Sequence, residues 1–135
     1  MELQYAPYLT YLNINFCTNI YLNVDTRNLL TLYADNTNVE YFYLPNIKYA
    51  YCANNNINKI DVGLQHLHEL DLHNNKIESF DIDYNNVSNN DAFINLKDNE
   101  INTIKFENLN NKNIVDFDNT NILYIENGII NQYLS

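Results

Sequence analysis

Histidines and carboxylates gather in one short stretch of the chain. His66, His68 and His73 lie close to Glu69 and Asp71. Imidazole nitrogens and carboxylate oxygens are ligands of transition metals, so this stretch is a candidate metal site. In an extended segment, however, alternate side chains on one face stand about 6.8 Å apart, too wide for one ion without ligands from a neighbouring strand. We therefore interpret the stretch as the polar face of a strand, and we expect no metal and no other cofactor.

A second acidic stretch begins like a calcium-binding loop. Asp81, Asp83 and Asn85 stand at alternate positions, as the first three ligands of such a loop do. Asn86 stands where the loop requires glycine, and Ala92 stands where it requires a bidentate glutamate. We therefore interpret this stretch as a turn.

The charge balance limits the classes of partner. The 135 residues include 7 basic and 17 acidic side chains, a net charge of -10. Such a charge repels phosphate backbones and anionic membrane surfaces, which argues against binding to nucleic acid or membrane and favours a basic partner. Met1 to Thr10 has neither a basic region nor a continuous apolar stretch, so we expect a soluble, intracellular protein. Cys17 and Cys52 are too few for a disulfide scaffold, and we expect free thiols.

Apolar residues recur at fixed offsets along the chain. The clearest unit places them at positions 1, 4, 6, 11, 14 and 16, with an asparagine at position 9. Its members are Leu67, Leu70, Leu72, Asn75, Ile77, Phe80 and Ile82. Units start at residues 11, 29, 47, 67, 91 and 112, the first being a looser one with Tyr11, Ile14, Phe16, Asn19, Tyr21 and Val24. The pattern resembles that of the short-repeat type of the leucine-rich-repeat family.

The resemblance implies a β-rich solenoid, a right-handed coil with a parallel sheet on its concave side that serves chiefly in protein recognition. One short strand per unit predicts about six parallel strands, near residues 13 to 16, 31 to 34, 49 to 52, 69 to 72, 93 to 96 and 114 to 117. The remaining residues of each unit are too few for a long helix, so the outer segments should be mostly extended or 3-10. We expect one domain, with residues 1–10 and 128–135 as caps and 11–127 as six repeats.

Position 9 carries a hydrogen-bonding side chain in every unit. Its occupants are Asn19, Thr37, Asn55, Asn75, Asn99 and Thr120. The tight turn after each strand leaves backbone carbonyls inside the coil, and a column of such side chains can satisfy them. We expect this column to be buried.

Positions 3, 5 and 7 of the units should form the concave surface, where aromatic and acidic residues come together. The candidate partner-binding residues there are Tyr33, Asp35, Tyr49, Tyr51, Glu69, Asp71, His73 and Phe93. Tyrosine is enriched at protein interfaces, although tyrosines on adjacent strands also stabilise a sheet by stacking. Cys17 lies three units before the histidines, so no nucleophile and base come together, and we expect no enzyme.

Two functions remain open at this point. The first is a non-catalytic module that binds a basic or amphipathic protein on its concave face. The second is a structural element that assembles with its own copies through its end coils or its outer surface. We favour the first, with a monomeric free chain.

Overall fold

The chain forms a parallel β-solenoid in the computed structural model, which describes residues 8–18, 26–83, 92–107, 114–116 and 124–126. Those residues contain eleven strands and no helix. The strands are β1 Tyr11–Asn13, β2 Thr31–Tyr33, β3 Tyr41–Leu44, β4 Tyr49–Tyr51, β5 Lys59–Val62, β6 Glu69–Asp71, β7 Ser79–Asp83, β8 Phe93–Asn95, β9 Thr103–Glu107, β10 Ile114–Asp116 and β11 Tyr124–Glu126. No helix in this part of the chain has the length and hydropathy that crossing a membrane requires.

One strand from each repeat enters a six-stranded parallel sheet, in the order β1-β2-β4-β6-β8-β10. From β2 onward the strands pair in the register that the repeat predicts, with position 4 of one unit opposite position 4 of the next: Leu32, Ala50, Leu70, Ile94 and Val115. The predicted sheet is confirmed, and each of these five strands lies within its predicted range.

The predicted register of the first repeat is wrong by two residues. Leu12, and not Ile14, pairs with Leu32, so the unit starts at Leu9 and Ile14 stands at position 6. Ile14 is 1% exposed, whereas the predicted core residue Phe16 is 74% exposed. The observed register buries aliphatic side chains where the predicted one would have buried a tyrosine and a phenylalanine. Asn19, Tyr21 and Val24 lie outside the described residues.

The outer segments that the structure describes are extended, as predicted. They form two parallel sheets, one of β3 and β5 and one of β11, β9 and β7 in that order. Phe42, Leu44 and Phe80 turn inward and are buried. Gly63 is required beside them, because a Cβ there would lie 1.7 Å from the carbonyl oxygen of Pro45 in the previous repeat.

The asparagine column is buried where the structure describes it, at Thr37, Asn55, Asn75 and Asn99. Asn75 shows the arrangement. Its Nδ2 donates to the carbonyl oxygens of Cys52 at 2.9 Å, Leu72 at 3.0 Å and His73 at 3.3 Å, and its Oδ1 accepts the N–H of Ile57 at 3.0 Å. Asn55 and Asn99 repeat this donor pattern. Each asparagine thus ties its own turn to the preceding repeat, which confirms the predicted role of the column. Asn19 and Thr120 lie outside the described residues.

In the described part of the six-stranded sheet, the turn after β1, β2, β4, β6 and β8 takes a left-handed backbone at position 8. The residues there are Phe16, Asn36, Asn54, Asn74 and Asp98, with φ between 54° and 61°. Asn and Asp tolerate this conformation better than other non-glycine residues, which explains the paired polar residues at the end of each strand. Phe16 is the only one of these five residues that is neither Asn nor Asp.

Candidate functional site

The register brings the eight candidate residues onto one side of the six-stranded sheet, a surface that we call the sheet face. Tyr49, Glu69 and Phe93 pair across β4, β6 and β8 at position 3. Tyr33, Tyr51 and Asp71 pair across β2, β4 and β6 at position 5. Asp35 and His73 follow two residues after their strands, at position 7.

Three tyrosines, Tyr11, Tyr33 and Tyr51, form a row across this face. The rings of Tyr33 and Tyr51 stack with centroids 4.9 Å apart and planes 17° apart. Tyr11 packs on the other side of Tyr33, at 5.9 Å and 50°. The row ends at Glu69, whose Oε2 accepts the Tyr51 hydroxyl at 2.9 Å. Each ring in this tyrosine row is therefore held by its neighbour.

The hydroxyl of Tyr51 is the most perturbed group on the sheet face. Burial, together with the hydrogen bond to Glu69 and the charge of that carboxylate, raises the pKa of Tyr51 to about 12. All of these causes disfavour the phenolate. Tyr51 consequently remains a hydrogen-bond donor throughout the physiological range.

Tyr49 stands apart from the row and is the most exposed of the predicted tyrosines, at 38%. Its ring stacks on the imidazole of His68 in the next repeat, with centroids 5.2 Å apart and planes 20° apart. The stack fixes one side of the ring and leaves the remainder available for contact.

The acidic residues of the sheet face also hold the turns that follow the strands. Three position-7 N–H groups donate to the position-5 side chain of their own repeat at 3.1 Å: Asn15 to Asn13, His73 to Asp71 and Lys97 to Asn95. Tyr33 and Tyr51 occupy position 5 in the second and third repeats and offer no such acceptor. There the N–H of Asp35 donates to Asn15 Oδ1 at 2.8 Å, and the N–H of Ala53 donates to Asp35 Oδ1 at 2.7 Å. The carboxylates of Asp35 and Asp71 are therefore fixed in place.

The histidine stretch shows no geometry for a metal. Asp71 Oδ1 accepts a hydrogen bond from the His73 backbone and lies 2.7 Å from His73 Nδ1. Glu69 points to Tyr51 instead, as described above. No group of three potential metal ligands occurs among the described residues. The interpretation of Asp81 and Asp83 as part of a turn is wrong, because both lie in strand β7.

Both cysteines are free thiols, as predicted. Cys52 is fully buried under the sheet, where burial and then the charges of Asp35 and Asp71 raise the pKa of its thiol. The thiolate needed for nucleophilic chemistry is therefore disfavoured. Cys17 stands at position 9 of the first repeat, the place that asparagine occupies elsewhere.

Two residues of the sheet face, Tyr11 and His68, were not predicted from the sequence. Tyr11 was displaced by the error in the first register, although Leu9, Leu12 and Ile14 with Cys17 fit the repeat pattern that would have placed it correctly. The sequence carries no signal that His68 stacks on Tyr49, because His68 precedes its strand.

The sheet topology defines this chain as a parallel β-solenoid of short repeats. Residues 45–86 match the family of Leucine Rich repeats, in two copies. The matched stretch contains β4 to β7, two repeats whose register continues on both sides. The match supports a leucine-rich-repeat protein. No curated protein and no solved structure matches it.

Proposed function

We propose that this chain is a non-catalytic module that binds a basic or amphipathic protein partner on the sheet face. Leucine-rich repeats are generally protein-interaction modules without catalytic activity. The observation that carries the proposal is the tyrosine row, in which stacked, partly exposed rings end on a carboxylate. The binding residues proposed from the sequence are kept, and Tyr11 and His68 are added to them.

Rigidity supports this function. Binding orders flexible side chains at a cost in entropy, and side chains that are already fixed avoid much of that cost. Tyr51 is held by Tyr33 and Glu69, and Tyr49 is held by His68. Tyrosine also presents a large contact area with few rotatable bonds.

The acidic residues give the sheet face its preference for a cationic partner. Asp35, Glu69 and Asp71 surround the tyrosines, and each is oriented by a hydrogen bond. The net charge of -10 adds long-range attraction for a basic protein. We infer that the tyrosines supply most of the affinity while the carboxylates accelerate association.

Photocrosslinking tests whether a partner binds this face. A benzophenone amino acid is introduced in place of Tyr49, and in a matched control in place of Glu40, an exposed residue outside the sheet face. Crosslinking in cell extract from position 49, and not from position 40, to a basic or amphipathic protein is the expected result. Crosslinks of equal yield from both positions, or from position 40 alone, would contradict the proposal.

The oligomeric state separates this function from self-assembly. The free chain is expected to have a mass of 15.9 kDa by light scattering at every concentration. A mass that grows with concentration would favour assembly through the ends of the solenoid.

A further inference from the structure

The outer sheet of the solenoid is interrupted between β5 and β7. These strands belong to consecutive repeats, and both include repeat positions 13 to 16. β5 pairs with β3 along its whole length, and β7 pairs with β9 in the same way. Within the described residues, however, β5 and β7 do not pair with each other. The six-stranded sheet on the other side of the core continues without a break through β4 and β6.

The backbone shows where the separation begins. Repeats two and three are joined by Asn56 N–H to the Val39 carbonyl and by Asn58 N–H to the Glu40 carbonyl, both at 3.2 Å. Repeats three and four share only the first of these two bonds, from Lys76 N–H to the Ile57 carbonyl at 2.9 Å. Beyond that point the two outer strands diverge, each with one edge turned toward the other.

A cleft of about 340 Å³ lies between the two strand edges. We call it the outer cleft. Its lining includes Ile60, Asp61 and Val62 of β5 and Phe80 and Asp81 of β7. Ile60 and Val62 are only partly buried, whereas Phe42 and Leu44, their equivalents in the previous repeat, are 3% and 0% exposed. The apolar floor of the cleft is therefore incompletely covered.

The rim of the outer cleft carries two carboxylates, one on each side. Asp61 and Asp81 both stand at position 15 and are exposed, one on each side of the cleft. The hydroxyl of Tyr41 donates to Asp61, which orients that carboxylate. A residue placed between the two strands at the same register would have a carboxylate as its cross-strand neighbour on both sides. Opposite charges in such cross-strand pairs are favourable, so this place suits lysine or arginine.

We propose that the outer cleft binds an extended peptide segment of a partner protein, which inserts as a strand between β5 and β7. The segment alternates apolar residues, which cover Ile60, Val62 and Phe80, with a basic residue between Asp61 and Asp81. Strand edges are templates for such pairing, and backbone hydrogen bonds supply affinity while alternate side chains supply specificity. This site is separate from the sheet face and does not depend on the function proposed for it.

A synthetic peptide tests whether binding requires apolar and basic residues to alternate. The probe is a capped heptapeptide that alternates valine with lysine, and its control has the same residues in a non-alternating order. We expect the alternating peptide to bind at least about tenfold more tightly by calorimetry, and to protect the backbone amides of β5 and β7 from hydrogen exchange. Equal affinity for both peptides would show that charge attraction alone causes binding and would overturn the proposal. Protection from hydrogen exchange that is confined to the six-stranded sheet would also overturn it.

Two further comparisons test the insertion itself. N-methylation of either alternate set of peptide amides should weaken binding, because an inserted strand donates to both edges. If N-methylation weakens binding at neither set, or at only one of the two sets, insertion between two strands would be contradicted. The double variant Asp61→Asn/Asp81→Asn should weaken binding by roughly tenfold relative to Glu40→Gln/Glu100→Gln, which changes the net charge equally at exposed sites elsewhere. Equal loss in the two double variants would overturn the role of the rim.

Discussion

The carboxylate of Asp35 accepts the backbone N–H of Ala53 in the next repeat at 2.7 Å. Asp35 therefore joins two turns of the solenoid and also contributes negative charge to the sheet face. An asparagine at this position would keep the acceptor and remove the charge. The two roles can thus be separated by mutation.

Asp35→Ala should lower the free energy of unfolding by about 1–2 kcal/mol, because the N–H of Ala53 loses its acceptor. Asp35→Asn should stay within about 0.5 kcal/mol of the parent chain. Urea denaturation of both variants measures the difference. Equal destabilisation by the two substitutions would show that the charge, and not the hydrogen bond, stabilises the turn.

Asn75→Ala should cost about 3 kcal/mol of folding stability, because it leaves buried carbonyl groups and the N–H of Ile57 without their partner. Asn56→Ala is the matched control, since Asn56 is exposed and its backbone bond to Val39 is unaffected. Chemical denaturation compares the two. A similar small loss in both variants would contradict the role assigned to the asparagine column.

Phe16→Asn should stabilise the chain by about 1 kcal/mol, because asparagine tolerates a φ of 61° at lower cost and the exposed phenyl ring contributes little to the core. The converse change Asn36→Ala should destabilise by about 1 kcal/mol, and Asn36→Gly should not. Thermal and urea unfolding measure all three. Destabilisation by Phe16→Asn, or unchanged stability in Asn36→Ala, would refute a conformational origin.

Tyr51 should make folding stability depend on pH in the alkaline range. Its pKa is raised to about 12 from 10.0, so above pH 10 the unfolded chain releases this proton before the folded chain does. The stabilising contribution is complete below pH 10 and is lost as the pH rises toward about 12. Absorbance titration of the folded protein should show a late phenolate step. Tyr51→Phe in a Tyr41→Phe background should remove that step, the background being needed because the hydrogen bond to Asp61 also raises the pKa of Tyr41. A late step that survives in the double variant would contradict the assignment.

The fold followed from the sequence wherever aliphatic residues filled the repeat positions. Leu67, Leu70 and Leu72 define their repeat without ambiguity, and the strands on both sides follow in register. The first repeat offered two registers, because Tyr11 and Phe16 are apolar enough to imitate core residues. Backbone pairing with Leu32 decides between the registers, and that pairing cannot be seen in sequence.

The sheet face was predictable at the level of which residues share a surface, and less so at the level of their contacts. Alternation along β4 places Tyr49 and Tyr51 on one side, as predicted. Whether Tyr51 reaches Glu69 or a neighbouring ring depends on rotamers, which spacing does not specify. The gap between β5 and β7 was also hidden, since both strands carry the same repeat pattern.

The most direct test of the proposed function is the kinetics of binding to the partner captured through position 49. Tyr51→Ala should cost on the order of 2 kcal/mol in affinity, mainly through faster dissociation. Asp71→Asn, which keeps the acceptor for the His73 N–H, should instead slow association and weaken its salt dependence. Glu40→Ala is the control, because Glu40 is exposed and lies away from both the sheet face and the outer cleft. These two distinct effects, with no change in the control, are the predicted result; unchanged rate constants in Tyr51→Ala and Asp71→Asn would place the binding site elsewhere on the solenoid.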